Sequence, residues 1–362
     1  MEKIFVTQPT LAPLSEYTEL LKGVWASGIM THNGPLVRRF EKEFCEYEKI
    51  DRIVAVVNGT VAIQMAIRAL QLKGEIITTP FSFIATTSSI IYEGCVPVFA
   101  DIDPETFNLD PAKIEAAITP RTVAIMPVHV FGNPCDVEAI EAVAQKHHLK
   151  VIYDAAHGVG STYGGRALLS YGDVAATSFH ATKMLNTAEG GGCVARDEEV
   201  DRRLRMIRFF GYNEAKEPEI DGTNGKMTEV HAALGIANLK YLDAALADRR
   251  KKYALYRKIL SGRGDLKFQK LNGECNCSYF PVVFPSESAL LKAESALLRE
   301  NIVPRRYFYP SLNTCTAIVK PVPMPESESL ASRILCLPLY FDLPEETVVK
   351  IAEIVGTAKG MD

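Results

Sequence analysis

Short apolar runs alternate with longer helix-like segments through the first two-thirds of this 362-residue chain, and few folds accommodate that order. The runs that we predict to be strands are residues 53–57, 75–79, 97–101, 123–130, 151–154, 175–179 and 193–195. The segments with helical length and spacing are residues 61–72, 84–93, 111–118 and 137–148. Strands buried on both faces appear as continuous apolar runs, so the pattern predicts an α/β fold in which helices sandwich a mainly parallel, mixed sheet.

The last third of the chain follows a different pattern. A long helical stretch is predicted from about residue 227 to residue 260, followed by an apolar run, a helix near 288–300 and a final helix from Pro344. We therefore predict a large α/β domain at residues 1–240, including the N-terminal segment, and a small C-terminal α+β domain at residues 241–362. The sequence contains no flexible linker, so the two domains should pack closely.

Charge and cysteine content exclude several classes of function. The net charge of −4 gives no reason to expect nucleic acid or an anionic membrane as a partner. No apolar stretch is long enough for a signal peptide or a membrane span, so we expect a soluble, cytoplasmic protein. The eight cysteines include no C-x-x-C pair and are expected to be reduced and mostly buried. Cys275 and Cys277 are more often structural than zinc ligands, so no metal is expected.

A lysine just past a predicted strand is the first candidate for chemistry. Lys183 ends the string Ser178-Phe-His-Ala-Thr-Lys183, and a glycine-rich turn follows it. Lysine amines form covalent bonds with carbonyl compounds, among them pyridoxal 5'-phosphate (PLP). Asp154 follows the strand upstream; it could cap a helix, or it could keep the ring nitrogen of PLP protonated. His157 could be structural or could contact the edge of that ring.

Two further segments have both a structural and a functional interpretation. Asn58-Gly59-Thr60-Val61 joins a strand to a helix, where free N–H groups could bind phosphate. Thr60 could equally be an ordinary residue at the helix start. Phe83 follows the next strand and is either a core residue or a flat face for stacking on an aromatic ring.

Taken in order, these motifs resemble the DegT/DnrJ/StrS family of sugar aminotransferases, which are PLP enzymes of fold type I. The matching segments, in the order of the family, are residues 27–41, 58–60, 80–85, 99–103, 118–122, 129–132, 154–157, 178–183 and 189–191. The resemblance covers nearly the whole chain. Related enzymes that dehydrate sugars carry histidine at the position of Lys183, so the lysine favours amino transfer.

The resemblance implies a role for each matching residue. Lys183 would hold PLP covalently and move protons, Asp154 would pair with the ring nitrogen, Phe83 would stack on the ring and His157 would lie beside it. Thr60, the amide of Val61 and Ser178 would hold the phosphate. Asn224 matches an asparagine that reaches the phosphate from a neighbouring subunit, which implies a homodimer with shared active sites. The family usually has an arginine where this chain has Lys226, and this difference weakens the assignment of Asn224.

The same string implies a substrate. Ser178–Lys183, followed by Asn-Thr-Ala-Glu-Gly-Gly, resembles family members that act at C4 of nucleotide-linked 4-keto-6-deoxy sugars. We expect a ping-pong transfer of the amino group of L-glutamate to dTDP-4-keto-6-deoxy-D-glucose, giving dTDP-4-amino-4,6-dideoxy-D-glucose for O-antigen and lipopolysaccharide synthesis. The residues expected to contact substrate are His180, Glu189, Arg305, Tyr307 and Tyr309. The last three could equally belong to a strand and turn of the small domain.

Several alternatives stay open at this point. The substrate could be a 3-keto sugar or a UDP- or GDP-linked keto-sugar, and glutamine could be the donor. A non-catalytic binding protein on the same fold is a different class, and the intact Lys183 and Asp154 speak against it. A dinucleotide-binding dehydrogenase is disfavoured because no G-x-G-x-x-G motif follows the first strand.

Overall fold

The computed structural model describes residues 3–263 and 265–357. Within them the strands are β1 (Ile4–Phe5), β2 (Val54–Val56), β3 (Glu75–Thr78), β4 (Val96–Phe99), β5 (Thr122–Met126), β6 (Lys150–Asp154), β7 (Thr162–Tyr163), β8 (Arg166–Ala167), β9 (Val174–Ser178), β10 (Gly191–Ala195), β11 (Lys267–Phe268), β12 (Phe280–Val283), β13 (Ile302–Val303) and β14 (Ile334–Leu337). The α-helices are α1 (Leu14–Ser27), α2 (Pro35–Glu48), α3 (Gly59–Ala69), α4 (Ile84–Tyr92), α5 (Pro111–Ala117), α6 (Val137–Lys146), α7 (Glu198–Arg208), α8 (Glu229–Leu239), α9 (Leu242–Leu260), α10 (Glu287–Arg299), α11 (Pro325–Arg333) and α12 (Glu345–Thr357).

A seven-stranded sheet forms the centre of the molecule, in the order β2-β10-β9-β6-β5-β3-β4. The pairs from β9 to β4 are parallel, and β10 alone runs antiparallel to both of its neighbours. The predicted mainly parallel, mixed sheet is therefore confirmed. The carboxyl ends of β2, β3, β6 and β9 meet at one edge, and the first residues of β10 lie at the same edge.

Helices cover both faces of this sheet because its strands are apolar on both sides. In β6, Val151 and Tyr153 belong to one hydrophobic cluster and Ile152 belongs to the other. The first cluster contains Phe40 of α2, and the second contains Met65 of α3. The alternation of side chains along a strand thus joins each strand to two separate helical layers.

The C-terminal part of the chain packs around its own apolar cluster. Strands β11, β12 and β14 form an antiparallel sheet, and Phe280 of β12 contacts Tyr256 of α9 with ring centroids 4.6 Å apart. The N-terminal β1 pairs in parallel with β13. The domain division at residues 240 and 241 stays a prediction.

The helix predicted from residue 227 to residue 260 is wrong as a single element. Two helices, α8 and α9, occupy this stretch, and the backbone leaves helical geometry at Tyr241 (φ −103°, ψ 0°). Apolar residues continue across the break, so the sequence pattern does not reveal it. All eight cysteines are free. Among the residues that the structure describes, no helix has the length and apolar character needed to cross a membrane.

Candidate active site

A cavity of about 440 Å³ opens at the edge where the carboxyl ends of the parallel strands meet. It brings together ten of the thirteen residues that the sequence singled out: Thr60, Phe83, Asp154, His157, Ser178, His180, Lys183, Glu189, Arg305 and Tyr307. Val61, Asn224 and Tyr309 do not line it. A larger cleft of about 1030 Å³ includes Glu48, Ala195 and Arg250 and contains none of the predicted site residues.

The last residue of β6 provides a buried carboxylate at the base of the cavity. Asp154 Oδ2 accepts a hydrogen bond from Thr86 Oγ1 (2.7 Å), and Oδ1 accepts one from the Ala156 amide (3.1 Å). Burial raises the pKa of Asp154, and the hydrogen bond from Thr86 is the strongest influence in the other direction. Within the described residues Asp154 forms no ion pair. A buried carboxylate of this kind is stabilised by a cationic group placed against it.

Thr86 in turn depends on a second hydroxyl. Ser82 Oγ lies 2.7 Å from Thr86 Oγ1. A threonine hydroxyl has one proton, and Thr86 donates it to Asp154, so Ser82 must be the donor to Thr86. The two hydroxyls therefore form a directed chain that ends on the carboxylate.

The turn after β9 presents an amine to the same cavity. The Lys183 amide donates to the His180 carbonyl (2.8 Å), and the Ala181 amide donates to the Ala188 carbonyl (2.8 Å), so the turn is held at both ends. Among the described residues, the Lys183 ammonium group makes no hydrogen bond or ion pair. Desolvation lowers the pKa of Lys183 to about 8, although the negative charge of Asp154 opposes the change. A lysine with this pKa is partly neutral near pH 7 and can act as a nucleophile or a base.

The start of α3 forms the opposite end of the cavity. Asn58 caps this helix, and its Oδ1 accepts from the Val61 amide (2.9 Å). The predicted use of the Val61 amide for phosphate therefore competes with the cap. The amides of Gly59 and Thr60 have no partner among the described residues. Ser178 Oγ accepts from the His180 amide (3.3 Å), so its own proton is available to a ligand.

A close approach between β10 and this turn explains one glycine of the motif. A Cβ atom on Gly191 would lie 2.4 Å from the carbonyl carbon of Asn58 and 2.7 Å from the amide of Gly59. Only glycine allows the strand to pack directly against the turn. The helix start and its free N–H groups are thereby held in place, as an anion site requires.

Two aromatic side chains form walls of the cavity. Phe83 precedes α4 and is 57% exposed, so it is not the core residue that its spacing also allowed. His157 has a buried Nδ1 without a partner among the described residues. Its ring contacts Tyr279 edge-on, with centroids 5.1 Å apart, and burial lowers the pKa of His157 well below its usual value. The imidazole is therefore neutral at physiological pH.

The remaining predicted contacts divide into two groups. Arg305 lines the cavity with its guanidinium 4.9 Å from the Tyr307 ring centroid, and it forms no ion pair within the described residues. His180 Nδ1 lies 2.8 Å from Thr182 Oγ1, and its Nε2 lies 3.7 Å from Glu189. This side of the cavity therefore offers a ligand the Arg305 guanidinium, the His180 imidazole and the Glu189 carboxylate.

Tyr309 and Asn224 are engaged elsewhere. The Arg306 guanidinium lies 3.7 Å from the Tyr309 ring centroid and also pairs with Glu287 (2.6 Å). Asn224 is exposed, and its Oδ1 accepts from Lys226 Nζ, which also lies 4.2 Å from the Phe210 ring centroid. Both predicted roles stay predictions.

Sequence reasoning missed four residues of the site: Ser82, Thr86, Tyr279 and Phe308. Ser82 and Thr86 lie on either side of the start of α4, which begins at Ile84, and no periodic pattern in the sequence links the two hydroxyls. Tyr279 and Phe308 come from distant segments, and only the tertiary fold brings them to His157.

The unsatisfied groups of the cavity fit PLP. Asp154 lacks a cation, Lys183 lacks a partner for its amine, and the helix start and Ser178 offer donors to an anion. PLP carries a basic ring nitrogen, a carbonyl group and a phosphate, which correspond to these three needs in turn. Phe83 and the neutral His157 offer apolar contact to its ring.

Comparisons with known proteins give independent information on the chain as a whole. The model of the DegT/DnrJ/EryC1/StrS aminotransferase family matches residues 14–356. A dTDP-4-amino-4,6-dideoxy-D-glucose transaminase of Shigella dysenteriae is 41% identical over 367 residues, which cover 99% of this chain and 100% of that protein. A transaminase of the same name from Escherichia coli is 36% identical, with 97% of each chain covered. The solved structure of DesI with its TDP-sugar product is 32% identical, has a TM-score of 0.94, and covers 99% of this chain and 94% of its own.

Proposed function

Because the chain belongs to the DegT/DnrJ/EryC1/StrS aminotransferase family and is a PLP-dependent sugar aminotransferase, we propose that L-glutamate is its donor and dTDP-4-keto-6-deoxy-D-glucose its acceptor. The product would be dTDP-4-amino-4,6-dideoxy-D-glucose. The observation that carries the proposal is that one cavity contains both the unbonded Lys183 amine and the buried Asp154 carboxylate. Similarity over the full length to two transaminases of that name supports the choice of sugar.

The residues of the cavity divide the work of holding the cofactor. Asp154 would hold the protonated ring nitrogen, and the Ser82–Thr86 chain fixes the orientation of its carboxylate. The helix start at Gly59 and the Ser178 hydroxyl would hold the phosphate. When bound, PLP supplies an electron sink for the carbanion that forms as a proton leaves the substrate carbon.

Lys183 moves the protons. In the first half-reaction its Nζ accepts the Cα proton of the donor amino acid, and in the second it delivers a proton to C4 of the sugar. A pKa of about 8 allows one amine to act as base and then as acid near neutral pH. Backbone hydrogen bonds hold the turn from His180 to Ala188, so the Lys183 side chain would enter the cavity from the same point in both proton transfers.

Arg305 is the best placed cation for the anionic part of the substrate. It lines the cavity and lacks a carboxylate partner within the described residues, and a guanidinium binds diphosphate strongly. The Arg305→Met variant should raise KM for the nucleotide sugar about tenfold and leave the half-reaction with glutamate unchanged. Equal loss in both half-reactions would assign Arg305 to the fold or to the amino acid instead.

We also propose a homodimer with shared active sites, in the cytoplasm. The proposal is supported by the exposed position of Asn224 and by the exposed apolar side chains of Trp25 and Met30, which a partner could cover. A nucleotide-linked amino sugar is an activated glycosyl donor, which suits synthesis of O-antigen and lipopolysaccharide. Sedimentation at micromolar concentration tests whether the protein is a dimer. If the active sites are shared, mixing the inactive Lys183→Ala variant with the inactive Asn224→Ala variant should restore part of the activity.

The visible absorption spectrum tests the activity directly. The purified protein with PLP should show a yellow band that L-glutamate bleaches, and a keto-sugar should restore it. Lys183→Ala should lack the band, whereas Lys42→Ala, at an exposed position, should keep it. Restoration by dTDP-4-keto-6-deoxy-D-glucose but not by 3-keto or GDP-linked sugars supports the proposed substrate. A protein that stays colourless with PLP would favour a binding protein on the same fold.

A further inference from the structure

A segment from the C-terminal part of the chain crosses the loop that follows β6. Glu274 and Thr162 exchange backbone hydrogen bonds of 2.9 and 3.0 Å, and the chain then passes Asn276 before entering β12. Asn276 is completely buried. It therefore lies between the loop that carries His157 and the strand that follows Tyr279.

The Asn276 side chain is saturated with hydrogen bonds. Its Nδ2 donates to the carbonyls of His157 and Val159, both at 2.7 Å. Its Oδ1 accepts from the amide of Ser278 (2.9 Å) and from the Ser278 hydroxyl (2.7 Å). Because both neighbours of Nδ2 are carbonyl oxygens, the group facing them must be a donor with two protons. Aspartate has the same shape, but its carboxylate cannot donate to the two carbonyls.

The same segment also fixes the orientation of the His157 ring. Tyr279, three residues beyond Asn276, packs edge-on against that ring and lines the cavity. A second close contact limits the space on the other side: a Cβ on Gly132 would lie 2.3 Å from Asn276 Oδ1 and 2.9 Å from the His157 carbonyl. The position of His157 therefore depends on Asn276 through its backbone and on Tyr279 through its ring.

We infer that Asn276 is a positioning residue of the cofactor site, which acts through His157 and sets how tightly PLP is held. The inference rests on the proposed function, because it assumes that His157 lies beside the PLP ring. Asn276 does not line the cavity, so any effect on PLP must pass through the groups that it holds.

The test is the affinity of the apoenzyme for PLP, measured by titration of the cofactor band, together with the melting temperature of the apoenzyme. Asn276→Asp should weaken PLP binding at least tenfold, because a carboxylate oxygen would face two carbonyls. Asn272→Asp is the matched control: it lies in the same segment, its Nδ2 donates only to the Pro134 carbonyl (3.2 Å), and it should bind PLP like the wild type.

A double-mutant cycle separates positioning from a general loss of structure. In the His157→Ala background, the change Asn276→Asp should cost no more than twofold in PLP affinity. Additive losses would overturn the inference, as would wild-type affinity in Asn276→Asp. If Asn276→Asp does not fold, Ser161→Ala replaces it in the cycle, since Ser161 Oγ accepts from the Asn276 amide (2.9 Å), and about a threefold loss is expected. A wild-type protein that fails to bind PLP would refute the proposed function instead.

Discussion

Thr86→Val offers a direct test of how much one hydrogen bond favours the ionised form of the buried Asp154 carboxyl group. Valine keeps the shape of threonine and removes only the hydroxyl that donates to Asp154 Oδ2 at 2.7 Å. A hydrogen bond to a charged group contributes about 1.5–3 kcal/mol. Because one pKa unit corresponds to about 1.4 kcal/mol, the pKa of Asp154 should rise by about one to two units in the variant.

The consequence for the cofactor follows from the sign of that change. Binding of the protonated ring nitrogen needs the ionised carboxylate, so PLP affinity falls as the pH drops through the pKa of Asp154. Thr86→Val should move this acid limb upward by one to two pH units and weaken PLP binding about tenfold to hundredfold on the acid side. Titration of the apoenzyme with PLP between pH 5 and pH 9 measures both effects.

The next residue on the same helix is a matched control. Thr87 is as deeply buried as Thr86, and its hydroxyl has no hydrogen-bond partner within the described residues. Thr87→Val should leave PLP affinity unchanged, and it should preserve or slightly increase the free energy of unfolding, because an unpartnered buried hydroxyl is unfavourable. The reasoning is refuted if Thr86→Val titrates like the wild type, or if both variants lose affinity equally.

Three further predictions concern other parts of the molecule. The rate at which PLP bonds covalently to the apoenzyme should rise with pH through about 8 and then level off, because the neutral Lys183 amine is the nucleophile. Stopped-flow absorbance measures this rate, and a rate that does not change with pH would contradict the prediction. Burial raises the pKa of Glu48 to about 7, so the folded state loses stability through this group as the pH rises above about 4.5. Glu48→Gln should therefore raise the free energy of unfolding in urea by up to about 3 kcal/mol at pH 8 and by little at pH 4.5. An equal gain at both pH values would exclude the ionisation of Glu48 as the cause. Gly191→Ala should displace the turn at Asn58 and Gly59, where the phosphate would bind, and abolish PLP binding. Gly23→Ala, in open space on α1, should raise the free energy of unfolding by about 0.5–1 kcal/mol. Thermal melts with and without PLP distinguish the two effects.

The sequence predicted the parts of the fold in which local pattern and final environment agree. Strand β6 is apolar on both faces and ends in Asp154, so its place in the sheet and its polar end could both be predicted. Helix α7 was missed: charged residues dominate it, and the ion pairs that stabilise it, such as Arg208 with Glu41 (2.6 Å), join residues far apart in the sequence.

In the candidate site, too, residues marked by a local pattern could be predicted, and residues brought in by the tertiary fold could not. Asp154 and Ser178 end strands β6 and β9, and Lys183 lies in the turn after β9, so their positions along the chain reveal them. Tyr279 reaches His157 only because the chain returns from the C-terminal part, and no local pattern encodes that return. The engagement of the Val61 amide by Asn58 also required coordinates, because a cap and a phosphate site use the same residues at a helix start.

The origin of the cavity walls has a consequence for how such an enzyme diversifies. The groups for cofactor chemistry come from the sheet edge, whereas Arg305, Tyr307 and Phe308 come from a single stretch of the C-terminal part. Under the proposed function, substitutions of Arg305 or Tyr307 should change which sugar is accepted while the groups at the strand ends stay in place. The two parts of the cavity meet at His157, whose ring contacts both Tyr279 and Phe308 of the C-terminal part, and substitutions there should be tolerated least when the substrate changes.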